Sequence, residues 1–297
     1  MQKIGEKIKS LRLSKRMTQN ELAGDQITRN MLSLVENGSA LPSLQTIMYL
    51  SERLEVPAGI FLAREGEELV YKKMSELVKI KNTFKSREYK LCSAMCENLL
   101  LEGNDDEVSY ILSLCHFEIA KELFNTGRLH SSCEAFDLAC SCAEDTIYGG
   151  EIIRSSAAVY FDYMLRLSPT LTSELGYDSY DGEYVLTDPF CRYARVVRAI
   201  ESGNDFAAKL YISEYENKDK CFCEHIKAII EMSNNDFSSA YERLKKLIND
   251  TDCRAIMYDI FKNLETCCRE IGDYKSAYEY SVGKVELLEH LLAQTNL

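Results

Sequence analysis

Turn-forming residues are scarce: 4 Pro and 14 Gly in a chain of 297. A β-sandwich or β-barrel needs a turn roughly every 8–12 residues, so this scarcity excludes it. Long helices with short connections remain. No apolar run approaches the roughly 18 residues that a membrane span requires. The opening Met1-Gln2-Lys3-Ile4-Gly5-Glu6 mixes charged and apolar side chains, unlike a secretory signal. A cytoplasmic protein without a membrane partner is expected. Catalytic signatures are missing too. There is no Walker loop, G-x-G-x-x-G, H-E-x-x-H or G-x-S-x-G. His116, His130, His225 and His290 are scattered, without metal-ligand spacing. No enzyme activity, cofactor or metal is expected.

Cysteine is plentiful, at 12 residues, but C-x-x-C spacing is absent. In a cytosolic chain reduced thiols packed as small hydrophobes are expected. The compact Cys221-Phe222-Cys223 leaves a redox switch as the alternative.

The apolar and charged fractions, 46% and 28%, are those of a globular chain, and the length allows two domains or an extended array. The net charge of -12 disfavours nucleic acid for the chain as a whole. That charge is uneven. Residues 1–62 hold 8 Lys/Arg against 6 Asp/Glu, while the rest hold 27 of the 35 basic and 41 of the 47 acidic residues. Two parts with different partners follow.

In the basic part, Ile4, Ile8 and Leu11 fall at helical spacing, with Lys3, Lys7, Lys9 and Arg12 on the remaining faces. Thr18-Gln19-Asn20-Glu21 is a capping box that opens a short helix carrying Leu22 and Ala23. Gly24-Asp25-Gln26 breaks it. Thr28 caps a third helix running to Glu36, with Leu32 and Val35 inward, and Asn37-Gly38 ends it. Ser43 caps a fourth (Leu44, Ile47, Leu50, Leu54), and Pro57 suits the first turn of a fifth.

Two short helices across a tight turn form the skeleton of a DNA reader. The stretches M-T-Q-N-E-L-A, I-T-R-N-M-L-S-L-V-E-N-G and P-S-L-Q-T-I-M-Y-L-S-E-R-L-E-V-P resemble the Cro/repressor-type (XRE family) helix-turn-helix over residues 3–62. The resemblance implies a five-helix, lambda-repressor-like DNA-binding domain at 1–62. It also implies roles. Thr18 and Gln19 meet phosphate. Thr28, Arg29 and Asn30 point at major-groove edges, where Arg forks onto guanine and Asn onto adenine. Ser33 and Leu34 follow one turn on, and Asn37 contacts the backbone after the helix. Lys15 and Arg16 are candidate phosphate contacts. The turn is one residue shorter than the family pattern, and Leu34 sits where the family is often polar.

Residues 63–70 read as a linker and 71–297 as a helical array. Anchors recur at Glu88-Tyr89, Arg128-Leu129, Asp205-Phe206, Asp236-Phe237 and Asp273-Tyr274. A small residue follows three later at Cys92, Ser132, Ala240 and Ala277. The Asp205 repeat is offset by one, counting Ala208 from Asp205. Between Ser168 and Pro189 a long loop or an irregular helix pair is expected. This resembles degenerate tetratricopeptide repeats and implies an all-α chain, its second part a right-handed α-solenoid of helix pairs. Such arrays offer a concave groove to extended peptides. Counting eight back from the anchors gives Lys81, Lys121 and Arg198, with Asn125, His225 and Arg269 on similar turns. These are candidate ligand contacts, a basic stripe suited to a carboxylate. The alternative is ordinary solvated charge. Phe84, Phe124 and Met232 read as core.

The combination resembles the Rgg/PlcR type of peptide-sensing quorum regulators of Gram-positive bacteria. That implies a transcription regulator that binds a double-stranded DNA operator, takes a short peptide in its array and forms a homodimer. A protein–protein adaptor without a small ligand is the runner-up, and an enzyme fused to a DNA reader comes third.

Overall fold

The computed structural model describes residues 4–64, 68–144, 146–168, 171, 188–249, 254 and 256–293. The described residues form helices and no strands. They fall into two compact units divided between Val108 and Ser109. None of the described helices is long and apolar enough to cross a membrane.

The first unit opens with α1 (Ile4–Ser14), α2 (Gln19–Ala23), α3 (Arg29–Glu36), α4 (Leu44–Leu54) and α5 (Gly59–Leu62). The starts of α2, α3 and α4 are each set by a local side chain. Thr18 and Glu21 form the reciprocal capping box of α2, Thr28 Oγ1 accepts the Met31 N–H at 3.2 Å, and Ser43 Oγ accepts the Thr46 N–H at 3.1 Å. Gly38, at φ 72°, ends α3 through bonds from Gly38 N to Val35 O and from Ser39 N to Leu34 O. Ile8, Leu22, Ala23, Leu32, Val35, Ile47, Leu50, Leu54 and Phe61 form the core.

Three expectations need correction here. Leu44 is exposed, because it is the first residue of α4 and precedes Thr46 and Ile47, where the helix enters the core. Lys7 and Arg12 are buried rather than outward. Lys7 Nζ donates to the carbonyls of Ile60 (3.2 Å) and Ala63 (2.7 Å), and Arg12 forks onto Glu36. Partners from distant elements therefore satisfy both cations inside.

The same unit continues with α6 (Glu68–Lys85) and α7 (Tyr89–Leu100) and ends within α8 (Asp106–Asn125). The second unit holds the rest of α8, then α9 (Leu129–Glu144), α10 (Gly150–Leu167), α11 (Pro189–Glu201), α12 (Asp205–Tyr215), α13 (Lys220–Ser233), α14 (Phe237–Leu247), α15 (Met257–Ile271) and α16 (Tyr274–Ala293). All five sequence anchors fall at the start of a second helix of a pair. Two residues before each start, Arg87, Gly127, Gly203, Asn235 and Gly272 adopt left-handed φ of 61–88°. In each turn the next residue bonds back five positions, as in Asp236 N to Glu231 O and Asp273 N to Cys268 O, both 2.9 Å. Asn204 caps α12, which explains the offset of that repeat. The small residues Cys92, Ser132, Ala208, Ala240 and Ala277 are buried against their partner helices. The Ser132 hydroxyl donates to Ala120 O at 2.9 Å, and the Cys92 thiol faces Ile80 O at 3.4 Å, each twelve residues upstream. Most of the expected loop at 169–187 lies outside the described residues.

First helices lie side by side, α11 against α13 and α13 against α15. Their aromatics fill the interior. Phe190 meets Phe124, Tyr160, Tyr163, Tyr193 and Phe222 at centroid distances of 4.7–6.3 Å. Ten described cysteines are free, nine of them buried. The reduced-thiol expectation fails at Cys221, which is disulfide-bonded. It is half-buried at the start of α13, packed against the edge of the core. Cys223 is free, so these two do not pair with each other.

Candidate nucleic-acid interface

α3 presents one face to solvent and one to the core. Leu32 and Val35 are buried, while Arg29, Asn30, Met31 and Leu34 are exposed and Ser33 is half-buried. The Arg29 and Asn30 side chains have no hydrogen-bond or ion-pair partner among the described residues, so their donors face outward. Thr28 uses its oxygen for the cap and keeps its hydroxyl hydrogen to give away. Amide N–H groups at the start of α3 add partial positive charge on the same side. Asn37, also exposed, follows at the other end.

Behind this face sits a buried polar clamp. The Arg12 guanidinium donates to Glu36 Oε1 at 2.7 Å and Oε2 at 3.0 Å, and its remaining arm reaches Met17 O at 2.8 Å. Gln19 Nε2 donates to Glu36 Oε2 at 2.8 Å. Burial pushes the Glu36 carboxyl up, yet the Arg12 and Gln19 hydrogen bonds and the Arg12 charge hold it below its ordinary range. α1, α2 and α3 are thereby fixed to one carboxylate. The Gln19 amide keeps one N–H for an outside acceptor. The Thr18 backbone N–H is taken by Glu21 Oε2 at 2.6 Å, so the start of α2 offers less to phosphate than its position suggested. Lys15 is held by Glu55 at 2.7 Å in an exposed pair, the kind that yields easily. Arg16 is exposed with a left-handed backbone.

The candidate ligand residues do not form a row of free cations. Lys81 pairs with Glu107 at 2.6 Å, Arg198 with Asp162 at 3.0 Å, and Arg269 with Glu265. Lys121 lies between Glu118 (2.9 Å) and Asp188 (3.0 Å). Burial alone would depress its ammonium, but the two carboxylates hold it above its ordinary value. Asn125 is exposed.

His225 is buried and faces no solvent. Asn263 Nδ2 donates to its Nε2 at 3.0 Å, so the proton sits on Nδ1 and is shared with Tyr193 Oη at 2.7 Å. Burial pushes its pKa down to about 3. The unfolded chain binds a proton near pH 6.5 that the native state refuses, so stability falls as pH drops below that value. Between pH 7 and 5.5 this group alone is expected to cost about 1.3 kcal/mol. Urea melts at the two pH values check it, and His225→Gln is expected to flatten the slope.

Sequence reasoning missed an open cleft of about 380 Å³ between α11 and α12. Arg192, Arg195, Val196, Leu210, Tyr211 and Tyr215 are among its lining residues. The Arg192 guanidinium lies 4.3 Å over the Tyr215 ring and bonds Asp219 at 3.0 Å, which also accepts the Tyr211 hydroxyl at 3.0 Å. The available signal was Arg192-x-x-Arg195-Val196 on one helix facing Tyr211-x-x-x-Tyr215 on the next, two i,i+3/i+4 faces that the anchor count does not pair.

No family model matches the chain, and no curated protein matches it. Among solved structures it is similar to Bacillus thuringiensis PlcR in complex with the peptide PapR7 and DNA. That match has 16% identity, covers 99% of this chain and 97% of that one, and has a TM-score of 0.27. It is also similar to ComR from S. thermophilus in complex with DNA and its signalling peptide ComS (16% identity, 96% and 99% covered, TM-score 0.26) and to a mutant of PrgX (18%, 93% and 100%, 0.28). Overlap this loose carries no functional weight.

Proposed function

We propose that the chain is a sequence-specific, DNA-binding transcription regulator rather than an enzyme, with a reader at residues 1–62, a linker at 63–70 and a ligand-responsive helical array at 71–297. One observation carries it: Arg29 and Asn30 stand unengaged and outward at the start of α3, which the Arg12–Glu36–Gln19 clamp holds from behind. Fork-like donors on a rigid helix are what base edges require.

The electrostatics favour two readers acting together. Lys7, Arg12, Lys15 and Arg53 are engaged within the reader, leaving Lys9, Arg16 and Arg29 as its outward cations among the described residues. So few phosphate contacts give a single reader weak affinity, and two half-sites recover it. A short peptide on the array, for which the α11–α12 cleft is one opening, would shift the spacing of the readers by its unequal affinity for two conformers. The adaptor reading draws on a different observation, the aromatic packing that already fills the face between first helices. Native mass spectrometry of freshly purified protein separates them: a co-purified peptide supports the sensor, and a bound protein without peptide supports the adaptor.

The reader is tested by selecting an operator from random duplexes and measuring fluorescence anisotropy. Arg29→Ala is expected to lose about 1–3 kcal/mol on the selected site and to relax preference at one base pair. Equal losses on selected and random DNA would remove Arg29 from base recognition.

A further inference from the structure

α3 keeps a bulky aliphatic side chain in water. At roughly 3.6 residues per turn, Arg29, Asn30, Ser33, Leu34 and Asn37 share one face about 140° wide, opposite the buried Leu32 and Val35. Leu34 is 51% exposed on that face, one turn beyond Asn30. Met31, the other exposed apolar residue of the helix, lies on its flank. Leu34 takes no part in the core of the reader or in the layer packed against it. Its place is nevertheless fixed. Its carbonyl oxygen accepts the Ser39 N–H at 2.8 Å and the Ala40 N–H at 3.2 Å, while Leu32 and Val35 anchor the helix on either side of it.

We propose that Leu34 is a specificity-determining residue that reads the methyl group of a thymine by burying it. A leucine side chain has no donor or acceptor, so phosphate and base amides give it nothing. The one apolar group in the major groove is the C5-methyl of thymine. Cytosine presents an amino donor there and purines a ring-nitrogen acceptor, and each would lose water against Leu34 without gaining a partner. The helix also sets where that thymine lies. Four residues along α3 advance about 6 Å, and stacked base pairs are about 3.4 Å apart, so the thymine falls one or two base pairs from the pair met by Asn30. The assignment rests on the regulator reading and adds a second kind of recognition to it, since the hydrogen bonds of Arg29 and Asn30 do not detect a methyl group.

Replacing each thymine of the selected operator in turn by deoxyuridine, with the full chain as binder, tests it. Deoxyuridine lacks only the methyl group and pairs in the same way. Fluorescence anisotropy is expected to show one position per half-site where the replacement weakens wild-type binding about fourfold, the worth of one buried methyl-sized group. That position is expected within two base pairs of the one at which Asn30→Ala relaxes preference. Leu34→Ala is expected to bind the thymine operator about fourfold more weakly and the deoxyuridine operator equally weakly, so that the two changes do not add. Leu34→Gln, which keeps the length of the side chain, is expected to lose the same methyl sensitivity. Leu34 is exposed, so the thermal midpoints of both variants are expected to match wild type. A wild type indifferent to every replacement, a sensitive thymine far from the Asn30 pair, or a Leu34→Ala protein that still senses the methyl group overturns the proposal. Arg29→Ala on the same duplexes keeps the two readings apart. If it relaxes preference at its own base pair while Leu34→Ala leaves the deoxyuridine pattern unchanged, the reader stands and the Leu34 assignment falls. If the wild type binds selected and random duplexes equally, both fall.

Discussion

Alanine at Asp188 is expected to destabilise the second unit by about 3–5 kcal/mol, read as a lower denaturant midpoint of the full chain. The residue is nearly buried and serves three elements. Its Oδ1 accepts the Tyr160 hydroxyl of α10 at 2.9 Å and the Cys191 N–H at the start of α11 at 3.1 Å. Its Oδ2 lies 3.0 Å from the Lys121 ammonium of α8. Removing the carboxylate strips the cap of α11, leaves the Tyr160 hydroxyl without its acceptor and leaves a half-buried ammonium with Glu118 alone. The last effect is the largest, because a charge already taken from water regains little of its hydration. Two further variants separate the parts. Asp188→Asn keeps the acceptor for Tyr160 and Cys191 but loses the charge, and is expected to cost about 1–3 kcal/mol. Adding Lys121→Met to Asp188→Ala is expected to recover stability, since no orphaned cation remains. A midpoint for Asp188→Ala equal to wild type would show that this carboxylate does not tie α8, α10 and α11 together.

The features legible in the sequence were those decided within a few residues of themselves. Thr18 with Glu21, Thr28, Ser43 and Gly38 each fix a helix end through bonds to backbone three to five positions away, so the reader's helices could be read directly. The anchors of the array were legible for the same reason, since the turn before each second helix repeats one local hydrogen-bond pattern. What stayed hidden depends on partners far along the chain. Lys7 and Arg12 look like outward charges until Ile60, Ala63 and Glu36 supply their acceptors. Counting along first helices located Lys121 and Arg198, but not the carboxylates of Asp188 and Asp162 that neutralise them. His225 looked like a groove residue because its helical face was right. Only the depth of packing, with Tyr193 and Asn263 on its two nitrogens, shows it to be neutral and internal.

Valine at Gly5 is expected to unseat α3 and abolish operator binding while leaving the second unit folded. The reason is a close approach of two backbones. A Cβ at Gly5 would stand 1.9 Å from the Val35 carbonyl oxygen and 2.9 Å from its carbon. These are main-chain atoms in the last turn of α3, so no rotamer change relieves the clash. α1 must move off α3, and the Arg12–Glu36 fork, made between the same two helices seven residues on, must stretch with it. Alanine creates the same first contact and is expected to cost about 3 kcal/mol, the upper end for overpacking, with valine costing more. Leu13→Ala on the exposed side of α1 is the control and is expected to change stability by no more than about 0.5 kcal/mol. Hydrogen exchange locates the damage: protection is expected to fall across α1 and α3 and to persist in α13 and α15. A Gly5→Val protein that binds the selected operator as tightly as wild type would mean that α3 reaches DNA without α1 at its back, and the rigid-clamp account of the reader would have to be given up.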